Sequence, residues 1–92
     1  MPFAPTALAA NASARKIQLQ WTQSSNPGIV TNVIYRATPP AGPFTIMACI
    51  NPGTNFTDNS INRRMTYYYA VTAVNSNNQE SPLSKVATAR TK

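Results

Sequence analysis

The chain contains no histidine, only two carboxylate side chains and a single cysteine in 92 residues. Without histidine, neither a Ser–His–Asp nor a Cys–His relay can be assembled. Metal sites draw on several His, Cys, Asp or Glu ligands together, and Asp58, Glu80 and Cys49 are too few to supply one. One cysteine also rules out an intrachain disulfide, and Cys49 is expected to be a buried, inert thiol. The three glycines each stand beside a proline, so there is no glycine-rich phosphate loop. No apolar run approaches the ~20 residues of a membrane-spanning helix. The opening Met1-Pro2-Phe3-Ala4-Pro5 carries no positive charge ahead of an apolar core, unlike a secretory signal peptide. The expectation is an excised module, or a protein that reaches its site without a cleaved signal. Neither catalysis nor a cofactor is expected.

What is present reads as β-structure. Lys16-Ile17-Gln18-Leu19-Gln20-Trp21 alternates polar with apolar, which places Ile17, Leu19 and Trp21 on one buried face. Thr66–Val74 is the longest run of β-branched and aromatic residues, with Tyr67, Tyr69, Val71 and Ala73 on one side. Shorter strands are expected at Thr6–Ala10, Thr31–Arg36, Phe44–Cys49, Asn55–Asp58 and Ser84–Ala89. The dipeptides Pro27-Gly28, Gly42-Pro43 and Pro52-Gly53 mark turns between them. Asn75-Ser76-Asn77-Asn78-Gln79 marks another, with asparagine tolerating left-handed backbone. Short strands separated by turns, with no helical period, imply an antiparallel sandwich or barrel. Ninety-two residues suit one domain spanning 1–92, its core at about 5–89.

Several of these segments, in this order and spacing, resemble bacterial fibronectin type III domains of the kind found in extracellular enzymes and adhesins. They are Trp21, Ile34-Tyr35-Arg36, Asn55-Phe56-Thr57-Asp58, Ile61 six residues before Tyr67, the run Thr66 to Asn75, and Glu80-Ser81. The resemblance implies a seven-stranded, all-β Greek-key sandwich of the immunoglobulin-like type. It also makes Tyr67 a tyrosine corner, its ring in the core, its hydroxyl bonded to backbone in the preceding turn, and Ile61 packed beneath it. Three positions depart from the pattern or leave it open. Asn32 occupies an inward position where an aromatic is usual; unpartnered burial would cost on the order of 1–3 kcal/mol, so a rim position or hydrogen bonds are expected. Arg64 stands where that turn often has glycine, so either it pays about 1 kcal/mol for left-handed backbone or the turn takes another shape. In the last strand, Val86 or the pair Ala87 and Ala89 faces inward.

Eight basic residues against two acidic ones give a net charge of +6, which favours anionic partners. On the family topology Arg15, Lys16, Arg36, Arg63, Arg64, Arg90 and Lys92 gather at one pole, and Lys85 lies apart. The opposite pole is rich in Asn, Ser, Pro and Gln. Asp58 and Glu80 fall toward opposite poles, too far apart for a glycosidase-like pair. A polyanionic glycan or an acidic neighbouring domain suits the basic pole. No aromatic motif interleaves the cations, which argues against nucleic acid. A second candidate surface is the outward face of the third, fourth, sixth and seventh strands. Val33, Tyr35, Ile46 and Ala48 with Tyr68, Ala70, Thr72 and Val74 are expected in line there as an assembly face. The resemblance implies an extracellular or cell-surface binding or spacer module. The competing expectation is a structural subunit of a virion or filament that assembles through that face.

Overall fold

The computed structural model describes residues 2–13, 15–38 and 43–91. Seven strands follow one another: β1 Thr6–Ala12, β2 Ile17–Thr22, β3 Ile29–Ala37, β4 Thr45–Ile50, β5 Asn55–Asp58, β6 Thr66–Asn75 and β7 Ala87–Arg90. They form two antiparallel sheets, one ordered β1-β2-β5 and the other β4-β3-β6-β7. This is the all-β sandwich expected from the alternation of the sequence.

The core lies where the period-2 faces meet. Ile17, Leu19 and Trp21 of β2 pack against Ile34 of β3 and Tyr67, Tyr69 and Val71 of β6. Phe56 and Ile61 pack at the edge of that cluster. Apolar side chains on both inner faces explain why the sheets close on each other, since burial of apolar surface is the main driving force.

Three local features refine the expected strands. In β4 the register to β3 slips between Ile34 and Tyr35, so Tyr35 stands opposite Ile46 and Ile34 opposite Ala48. The extra residue, Met47, turns Ala48 inward to pack on the core and leaves Cys49 exposed. The buried thiol expected from sequence is therefore corrected, and Ala48 leaves the outward face. The last strand starts late, at Ala87, because Ser81 and Ser84 take over ladder positions with their side chains. The N–H of Ala73 donates to Ser81 Oγ at 2.9 Å and the N–H of Val71 to Ser84 Oγ at 3.0 Å. Ala87 and Ala89 face inward, and Val86 is exposed. Finally, Asn78 takes the left-handed conformation in the 75–79 turn, at φ 62°.

Candidate functional site

The basic pole is built on a turn that the fold holds firmly. Tyr67 is buried, and its hydroxyl accepts a hydrogen bond from the N–H of Asn62 at 2.7 Å. Thr91 locks the other side: its Oγ1 accepts from Met65 N–H at 2.9 Å and donates to Asn62 O at 2.6 Å. Between these clamps Arg64 is forced to φ 58°, a left-handed conformation that costs a side-chain-bearing residue about 1 kcal/mol. Of the two shapes open to this turn, it adopts the strained one. Arg63 and Arg64 are both exposed at its tip.

Strand register brings the other cations to the same end. Ile17 pairs with Asp58, so Arg15 and Lys16, both exposed, flank residues 59 and 60. Arg90 pairs with Thr66, next to the same turn. Lys85 lies beside Thr6 and Ala7, and Thr6 pairs with Thr22 at the far end of β2. Lys92 falls outside the described residues.

Arg36 is paired inside the fold and its side chain is only 25% exposed, so it does not stand among the free cations of that pole as the sequence led one to expect. Its Nη1 donates to Asp58 Oδ2 at 2.9 Å and to the carbonyl of Ser60 at 3.2 Å. Its guanidinium lies 5.3 Å from the centre of the Tyr67 ring. Asp58 is fully buried, and its carboxylate also accepts from Tyr69 Oη at 2.6 Å and from Ser60 N–H and Oγ, each at 2.9 Å. Burial alone would push the Asp58 carboxyl up. The hydrogen bonds from Tyr69, Ser60 and Arg36 outweigh it and hold the group below its ordinary value. Burial, and after it the same contact, raises the Tyr69 hydroxyl well above its ordinary range. This cluster joins β5 of one sheet to β3 and β6 of the other.

The outward sheet face offers less free surface than expected. Val33 and Ala70 are 6% and 0% exposed, Tyr35 and Tyr68 are half-buried, and only Ile46, at 62%, stands clear. Ala70 sits directly opposite Tyr35 in the ladder. Glu80 reaches across the same face, where its Oε2 accepts from Tyr35 Oη and from Thr72 Oγ1. Burial and this contact push the Tyr35 hydroxyl up to about 12. Sequence reading missed both carboxylate arrangements, because each rests on partners brought together only by cross-strand register.

Among the described residues no three His, Cys, Asp or Glu side chains come together. Asp58 is saturated with donors, which leaves no lone pair aimed at solvent for proton transfer.

No protein-family model matches the chain. A solved Fn3-like protein from Clostridium thermocellum is 31% identical, with a TM-score of 0.84, over 95% of this chain and 90% of that one. The chain belongs to the fibronectin type III family. A curated relative, an amylopullulanase of Thermoanaerobacterium saccharolyticum, is 31% identical over 83 residues. That match takes in 90% of the domain but only 6% of the relative's length. A β-1,2-glucanase from Parabacteroides distasonis contains a similar unit, 28% identical with a TM-score of 0.88. It covers 99% of the domain and 13% of the glucanase chain. The fibronectin type III module is thus similar to small parts of large carbohydrate-active enzymes.

Proposed function

We propose that this fibronectin type III domain is a non-catalytic accessory module of an extracellular, polysaccharide-acting protein. It spaces its neighbours and docks weakly on an anionic partner through Arg15, Lys16, Arg63, Arg64 and Arg90. The observation that carries the spacer reading is that related units make up 6% and 13% of much larger enzymes of this kind. The geometry supports it: Thr6 and Arg90 lie toward opposite ends of a body 39 Å long, as a bead in a string requires. The docking reading is supported by charge. The described ion pair uses Arg36 and Asp58, and the remaining cations at that pole face solvent.

The experiment incubates the purified domain with starch, β-1,2-glucan and polygalacturonate and measures reducing ends. No release above the blank is expected; steady hydrolysis abolished by Glu80→Gln would overturn the non-catalytic reading. The competing assembly reading finds little support on the outward face, where of Val33, Tyr35, Ile46, Tyr68 and Ala70 only Ile46 stands clear.

A further inference from the structure

We propose that the open cleft between Tyr35, Phe44, Glu80 and Leu83, on the outer face of β3 and β6, binds a neutral oligosaccharide. This rests on the reading of the domain as a module of a polysaccharide-acting protein, but it uses a surface separate from the basic pole. The cleft measures about 380 Å³, and Thr72, Ser81 and Pro82 complete its lining. That volume lies within the ~300–1,000 Å³ of small-ligand sites.

A sugar ring needs two things from a protein, an acceptor for its hydroxyls and an apolar surface for its C–H face. Glu80 supplies the first. Its Oε2 takes donors from Tyr35 and Thr72, while its Oε1 makes no hydrogen bond among the described residues. With its ionisation pushed up by burial and this contact, the Tyr35 hydroxyl is a donor at neutral pH and fixes the carboxylate in place. Phe44, Pro82 and Leu83 supply the second, and Leu83 is 44% exposed.

Charge selects the class of sugar. Glu80 is the acid without a cationic partner among the described residues, so it repels uronates at short range. The net charge of +6 disfavours a cationic visitor such as a lysine side chain. A neutral saccharide meets neither penalty. The cleft is open to solvent along its length, which suits a segment of a longer chain.

The test is an amide-resolved NMR titration of the domain with neutral gluco-oligosaccharides of α-1,4, β-1,4 and β-1,2 linkage. Tri-galacturonate and lysine amide serve as charged probes. At least one neutral probe is expected to shift Tyr35, Thr72, Glu80 and Leu83 and to saturate at millimolar concentration. Phe44→Ala and Glu80→Gln should each weaken it by about tenfold, with unchanged melting temperature. Leu83→Ser, at an exposed site that leaves the fold untouched, should weaken it too. No saturable shift with any neutral probe would overturn the proposal, as would a preference of this cleft for tri-galacturonate or lysine amide. Reducing ends measured in the same tubes separate the two claims. Absent binding without hydrolysis removes the cleft and leaves the module reading standing, whereas hydrolysis removes the module reading itself.

Discussion

The two ends of the domain are held by the same device but dressed differently. At one end a fully buried Asp58 gathers Arg36, Tyr69 and Ser60 into a cluster that joins the sheets. At the other, a fully buried Asn32 does the equivalent work without charge. Its Oδ1 accepts from Gln23 Nε2 at 2.7 Å and from Gly53 N–H at 3.1 Å. Its Nδ2 donates to Gln23 Oε1 and to Thr72 O, each at 3.0 Å. Every polar atom of that side chain is satisfied, which is why a buried asparagine is tolerated where an aromatic is usual. Outside the first cluster sit Arg15, Lys16, Arg63, Arg64 and Arg90, whereas the second end carries asparagine, serine and proline. The anion that would neutralise the basic end has been taken inside, so its surface cations remain uncompensated.

Breaking the charged cluster should have the largest effect. Asp58→Ala strands the Arg36 guanidinium and the Tyr69 hydroxyl, and about 3 kcal/mol of stability should be lost in denaturant unfolding. A loss below about 1 kcal/mol would mean that the cluster is ornamental. Acid should act in the same direction. The folded carboxyl is held below its ordinary value, so its contribution is complete above that value and is lost as pH falls through the lowered one. Alkali acts through tyrosine. Tyr35 and Tyr69 are raised in the fold, so stability should decline once unfolded tyrosines begin to ionise, above about pH 10. Urea midpoints across pH check both limbs.

Removing the uncharged cluster should cost less. Asn32→Ala leaves Gly53 N–H and the Gln23 amide short of partners, and about 2 kcal/mol should be lost. Equal costs for Asn32→Ala and Asp58→Ala would show that charge adds nothing to this kind of anchor. Tyr67→Phe removes one hydroxyl from the N–H of Asn62 and should cost about 1 kcal/mol. The smallest effect has the opposite sign. Arg64→Gly relieves left-handed strain and should raise stability by up to about 1 kcal/mol, read from the thermal midpoint. A drop would show that Arg64 contributes contacts beyond its charge.

The sequence was most readable where period and register coincide. β2 announces its buried face by strict alternation and β6 by its run of β-branched and aromatic residues, while the family resemblance marks Tyr67 with Ile61 as the corner. It was least readable where one residue breaks the period. The extra residue at Met47 turns Ala48 in and Cys49 out, and nothing in Thr45–Ile50 signals a bulge. The inward residues of the last strand stayed open between Val86 and the two alanines, because the start of that strand depends on serine side chains replacing ladder bonds. Arg36 looked like a free surface cation for a similar reason. Its partner stands 22 residues away on the other sheet, and only the packing of the sheets reveals the pair.

The uncompensated basic end is tested most directly by titrating the domain with heparin at low and at physiological salt, beside the Arg63→Ser/Arg64→Ser double variant. Both residues are exposed on a turn clamped by Tyr67 and Thr91, so the variant should keep its fold. Weak binding by the wild type should fall steeply as salt screens the cations and counterion release loses its advantage. The double variant should lose most of that affinity at both salt concentrations. Equal affinity in the two proteins, or binding indifferent to salt, would contradict the account and leave the cations as a solubilising surface.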